Sequence, residues 1–167
     1  MKQLSVCLLL LAMIGLCGCP VLTKNSVDDG SYEVPSWLPG KWCEVTRDGT
    51  KKDCNILKKE DKKGTMTRYE TDASGNADPL KATPVILSNV GSKIFMFAYT
   101  EGDGGEYPGY YIFELRKVSN TEFVLAGIKE HAIDYEASRD DIKKYLLDNK
   151  NNNAIFDPAE TTTYKKQ

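Results

Sequence analysis

Hydrophobic and polar positions alternate with a period of two along much of residues 37–134, which is the pattern of β-strands. Clusters of glycine, proline, aspartate and asparagine separate the alternating segments. We predict about seven strands from this pattern, at residues 41–47, 53–59, 65–70, 85–90, 93–100, 109–118 and 122–134. The connections are too short for the helical crossovers that parallel pairing needs, so we expect an antiparallel up-and-down meander.

The middle strands carry apolar side chains on both faces. In residues 93–100, aromatic side chains alternate with other apolar ones. A barrel whose outer wall is partly covered by a helix would bury both faces of such strands. The aromatic side chains expected to line the interior of this barrel are Phe95, Phe97, Tyr99, Tyr111 and Phe113.

A helix is predicted at residues 139–149. Ser138 and Asp141 have the spacing of a capping box, and Ile142, Tyr145 and Leu146 recur at helical intervals. A short final strand is predicted after this helix, because residues 161–164 are three threonines and a tyrosine, which favour strands. We therefore expect residues 37–167 to form one mainly β domain, an antiparallel up-and-down barrel with one C-terminal helix and a short final strand.

Two cysteines are expected to face each other across the first hairpin. Asp48-Gly49 is a favoured two-residue hairpin turn, and pairing of Arg47 with Thr50 would place Cys43 directly opposite Cys54. Opposed residues lie about 4.5–5.5 Å apart at Cα, within disulfide range. A structural disulfide is therefore predicted, with a redox-active pair or two free thiols as the alternatives.

The apolar run of residues 4–16 follows Lys2 and is too short to span a membrane, which takes about 20 apolar residues. It matches the core of a secretory signal. Its end, Leu16-Cys17-Gly18-Cys19, resembles the lipobox of bacterial lipoproteins. That resemblance implies a signal peptide at residues 1–18 and a lipid on Cys19; a buried apolar helix is the alternative.

The lipobox resemblance also implies a location. Several acyl chains hold a protein stably on a bilayer without a spanning helix. We expect a cell-envelope protein, on the outer membrane facing the periplasm or at the cell surface. Residues 19–36 show no periodicity and contain several turn formers, so they are predicted to be the lipidated cysteine and a flexible tether.

Composition argues against several kinds of chemistry. A formal net charge of −2 gives no basic patch for nucleic acid. His131 is the single histidine and Gly-x-Ser-x-Gly is absent, so a serine triad has no support. The cysteines and the histidine do not supply the ligand set of a zinc site. We predict no enzyme activity, no metal and no cofactor.

Gly40-Lys41-Trp42 resembles the Gly-x-Trp motif that opens the first strand of lipocalins. This resemblance implies an eight-stranded barrel closed at one end by Trp42, followed by a helix and a short strand. It also implies a small hydrophobic ligand, with Trp42 and the five aromatic residues above as candidate contacts. The alternative is a structural or inhibitory lipoprotein that acts through contacts with an envelope protein. A hollow interior would favour the ligand, and a filled interior would favour protein contacts.

Overall fold

The computed structural model describes residues 20–46, 49–102 and 107–167. These residues form nine strands, one α-helix and one 3₁₀ turn. The strands are β1 Leu22–Thr23, β2 Gly40–Val45, β3 Lys51–Lys59, β4 Thr65–Thr71, β5 Ala77–Val90, β6 Lys93–Thr100, β7 Gly109–Lys117, β8 Glu122–Ile128 and β9 Phe156–Lys166. Helix α1 spans Arg139–Asp148, and the 3₁₀ turn spans Asn153–Ile155.

Strands β2 to β9 form a closed antiparallel barrel of eight strands. Each strand pairs with its sequence neighbour, and β9 pairs with both β8 and β2, which closes the sheet. The predicted mainly β, up-and-down barrel is therefore confirmed. One detail differs from the lipocalin order, because α1 precedes the strand that completes the barrel instead of following a finished barrel.

The strand bounds differ from prediction mainly in β5, β8 and β9. Strand β5 begins at Ala77, well before the predicted residue 85, and contains two prolines. Residues 77–84 pair with β4 but not with β6, so proline is tolerated on that open edge. Strand β8 ends at Ile128, and the predicted short final strand is the full-length strand β9.

Helix α1 begins as the sequence predicts. The Ser138 hydroxyl accepts a hydrogen bond from the Asp141 amide at 3.2 Å and donates one to the Asp141 carboxylate at 2.6 Å. Ile142 and Leu146 are fully buried against the outer wall of the barrel. The helix thus covers the second apolar face of the middle strands.

Residues 20–39, which we call the N-terminal strap, pack along the barrel. Val21 donates its amide to the Ile128 carbonyl at 2.8 Å, and Tyr32 donates its amide to the Leu87 carbonyl at 3.2 Å. The side chains of Val27 and Val34, which belong to the strap, are buried. The described part of residues 19–36 is therefore folded against the barrel and is not a flexible tether; its apolar residues are too irregularly spaced to show a period.

The two ends of the barrel differ. At the closed end, the strap leads into β2, and the Trp42 indole donates to the Leu38 carbonyl at 2.7 Å. Both side chains are fully buried. The opposite end, which we call the open end, carries the β2–β3, β4–β5 and β6–β7 connections and the long β8–β9 connection that includes α1. Pro20 bridges to Lys129 at this open end.

Candidate functional site

Aromatic rings fill the closed-end half of the barrel. The Trp42 and Phe123 rings lie 4.6 Å apart between centroids, and Tyr164 stacks on Phe123 at 5.1 Å. Trp37 from the strap adds an edge contact to Trp42 at 6.1 Å. The aliphatic and thioether side chains that complete this buried cluster include Leu57, Met66, Val85, Leu87, Met96 and Leu115.

A small cavity remains among these rings. It has a volume of about 30 Å³ and is lined in part by Trp42, Asn55, Arg68 and Tyr164. Pockets for small molecules typically measure about 300–1,000 Å³. One buried water needs about 10–15 Å³. This cavity therefore has room for one or two water molecules and is too small for a hydrophobic ligand.

One wall of the cavity is polar. Asn55 is 6% exposed, and its Oδ1 is the buried side-chain atom without a hydrogen-bond partner in the described part of the chain. Burial raises the pKa of the facing Tyr164 hydroxyl. A water molecule that donates to Asn55 Oδ1 would satisfy this acceptor.

A polar vestibule of about 510 Å³ lies at the open-end side of the cavity and shares Asn55 and Arg68 with it. Lys81 contacts Glu70 at 3.0 Å and Arg68 contacts it at 3.9 Å. The Lys81 hydrogen bond outweighs burial and lowers the pKa of the Glu70 carboxyl. This entrance is therefore lined by paired charges and is poorly suited to an apolar molecule.

The aromatic residues predicted to share one interior face lie on two faces. Strand register places Phe97 opposite Ile112 and Met96 opposite Phe113. Phe95 and Phe97 consequently face outward and are buried under α1, and Tyr99 lies on the same outer face beside Tyr110. The predicted grouping is therefore wrong.

The remaining ligand candidates lie on the inner face. Phe113 packs within the interior cluster, and Trp42 lies at its closed end, as the Gly-x-Trp resemblance implied. Tyr111 pairs with Ala98 and Leu22 near the open end. The structure thus brings Trp42 and Phe113 into one core that is already filled.

The predicted disulfide is confirmed. Cys43 pairs with Cys54, with their Cα atoms 4.0 Å apart. Beside the turn, the Thr46 amide donates a hydrogen bond to the Thr50 carbonyl at 2.9 Å. The predicted pairing of Arg47 with Thr50 lies outside the described residues. A bulge between the turn and Cys43 restores the predicted register at the cysteines. Arg47 and Asp48 themselves lie outside the described residues.

The sequence analysis predicts no catalytic residue and no metal site. In the described ranges, no group of three or more His, Cys, Asp or Glu side chains could hold a metal ion. His131 is exposed, and its Nε2 lies 3.3 Å from a Glu130 carboxylate oxygen.

A shallow groove of about 950 Å³ runs along the outer side of the barrel, which we call the side groove. Thr161 and Thr163 of β9 contribute to its lining. Its borders include Arg116, whose guanidinium lies 4.5 Å from the Phe156 ring centroid, and the Lys165–Glu122 ion pair at 3.7 Å. The groove thus presents hydroxyls and both signs of charge on a rigid sheet.

The predicted lipid site, Cys19, and the signal peptide lie outside the described residues. Among the residues that the structure does describe, no helix has the length and apolar character needed to cross a membrane.

Comparisons with known proteins add little to this picture. No protein-family model matches the chain, and no curated protein sequence matches it. A crystal structure of a DUF4909 family protein from Staphylococcus aureus aligns with a TM-score of 0.48 and 11% identity, covering 80% of this chain and 100% of that one. A likeness this weak carries no argument about function.

Proposed function

We propose that the protein is a lipoprotein of the cell envelope, anchored through Cys19, whose barrel acts through surface contacts with another protein. The barrel interior carries this proposal. The cavity among the rings measures about 30 Å³, and the vestibule of about 510 Å³ that continues from it is lined by paired charges, so neither suits the hydrophobic ligand implied by the lipocalin resemblance. The lipobox pattern supports the anchor.

The side groove is the contact surface that we favour. It is a large concavity on the barrel wall, at about 950 Å³. Strand β9, which forms its floor, is paired on both sides. A surface with hydroxyls and paired charges suits a polar protein partner, since protein interfaces carry several hydrogen bonds and many bridging waters.

Photo-cross-linking in the intact envelope tests the contact surface. A photoreactive residue at Thr161, which is exposed in the groove, should give a discrete protein adduct. Ser92 is exposed in the β5–β6 turn at the closed end and does not line the groove, so it serves as the control that should give none. Equal or absent adducts at both positions would reject the groove as the contact surface.

The anchor is tested separately. Cys19→Ser should abolish acyl labelling and release the protein from the membrane fraction, whereas Cys17→Ser should retain the lipid. Unchanged labelling of Cys19→Ser would contradict the lipobox assignment.

A further inference from the structure

The strap fixes where the proposed anchor meets the barrel. Val21 is 1% exposed and is held by the Ile128 carbonyl at 2.8 Å. Pro20 bridges to Lys129, and a Cβ at Gly127 would lie 3.2 Å from the Pro20 Cβ. The first described residue is thus packed at the open end, and consecutive Cα atoms are only about 3.8 Å apart.

The absence of a flexible tether in residues 20–36 restricts how the barrel can lie on a membrane. A flexible coil of that length would span about 20–25 Å and would let the barrel take any orientation. With Pro20 docked, a lipid on Cys19 brings the open end to the bilayer surface.

The surface beside Pro20 carries three tyrosines, with Glu130 and His131 at its edge. Tyr107 is 69% exposed and lies 5.4 Å from Tyr135 between ring centroids. These two rings and Tyr111 line a hollow of about 280 Å³ together with Pro20. Tyrosine is enriched at the headgroup level of membranes because its ring is amphipathic.

We propose that the open end lies against the lipid headgroups of the anchoring membrane, with Tyr107 and Tyr135 in the interface and the closed end directed away. This inference rests on the proposed lipid anchor. It leaves the side groove facing along the membrane, where a neighbouring envelope protein reaches it.

Two labelled forms of the full lipidated protein test the orientation. Glu130→Cys places a fluorophore beside Pro20 at the open end, and Val118→Cys places one at the closed end, where Val118 is 60% exposed. Cys43 and Cys54 are bonded to each other, so neither reacts with the label. The proteins are bound to vesicles of phosphatidylethanolamine and phosphatidylglycerol that contain a headgroup-labelled nitroxide lipid.

We expect the label at residue 130 to be quenched at least about twofold more strongly than the label at residue 118, because the open end lies in the headgroup layer. Tyr107→Ser combined with the residue 130 label should reduce this quenching. Equal quenching at both positions in vesicle-bound protein would overturn the orientation alone. Failure of the lipidated protein to sediment with vesicles would overturn both the anchor and the orientation.

Discussion

Asp28 is the residue on which several contacts of the strap converge. Its carboxylate accepts hydrogen bonds from the Ser88 hydroxyl at 2.6 Å and from the Gly30 and Ser31 amides at 2.8 and 3.0 Å. Burial opposes ionisation, but these hydrogen bonds outweigh it and lower the pKa of Asp28. The charged form therefore fastens the strap to β5.

Replacing Asp28 with Asn should lower the free energy of unfolding by about 1 kcal/mol at neutral pH. This figure is small because Asp28 is partly exposed and solvent weakens its interactions. A carboxyl group whose pKa is lower in the folded state stabilises the fold at pH values above its unfolded pKa. This stabilisation is lost as the pH falls through the folded pKa. The difference between wild type and variant should hence shrink in acid, as urea titrations at several pH values would show. Asp29→Asn, at an exposed ion pair with Arg139, is the control expected to change little.

Asn55 permits a second test at this scale. Because Oδ1 has no hydrogen-bond partner among the described residues, Asn55→Leu should be neutral or stabilising in urea unfolding. Leu57→Ala, which deletes a buried neighbour on the same strand, should cost about 2–4 kcal/mol. A loss from Asn55→Leu as large as that from Leu57→Ala would show that an ordered water or another bound group depends on the amide.

At the scale of elements, the strap crosses the β3–β4 turn through two glycines. Gly30 and Gly64 have φ values of +107° and +71°, and a Cβ at Gly64 would lie 2.6 Å from the Gly30 Cα. Neither position accommodates a side chain without moving the strap.

Gly64→Ala should therefore destabilise the fold by about 3–4 kcal/mol, since left-handed strain of about 1–2 kcal/mol adds to the clash. Gly49→Ala is the matched control, because its φ is +83° but no described residue lies within 4 Å of the added Cβ. Thermal unfolding of both variants isolates the contribution of the strap. Equal losses would contradict the close packing described.

The first hairpin is held by its disulfide. Replacing Cys43 and Cys54 together with alanine should cost about 2–3 kcal/mol, because the closed loop is short. Denaturant unfolding measures the loss, and non-reducing peptide mass spectrometry should show the linked peptides in the wild type. Two alkylatable thiols in protein from its native compartment would contradict the assignment.

Local sequence spacing predicted the meander from alternation, the hairpin cysteines from a turn and the helix from helical intervals. It did not predict which aromatic residues share a face. Phe97 and Phe113 each lie on an apolar face, but the relative phase of β6 and β7 depends on their register, which local spacing does not specify. The full length of β9 is also hidden in the sequence, because Pro158 and polar residues interrupt its alternation.

At the scale of the whole molecule, the barrel is closed by β9 and filled from its closed end. Phe123 and Tyr164 pack with Trp42, and only a cavity of about 30 Å³ remains among these rings. The Gly-x-Trp motif correctly placed Trp42 in the interior, but three residues hold no information about how the other strands fill the barrel. The strap, aperiodic in sequence, sets the relation of the barrel to the proposed membrane anchor.

The filled interior is the central claim, and titration with an environment-sensitive fluorescent fatty acid tests it most directly. We expect no saturable change in fluorescence with the well-folded full chain, because the cavity among the rings is about 30 Å³ and the vestibule beside it is lined by paired charges. Phe113→Ala, which opens space at the inner face, provides a comparison in which weak binding should appear. Saturable micromolar binding to the wild type, displaced by natural lipids and abolished by Phe113→Glu in a folded variant, would contradict the account.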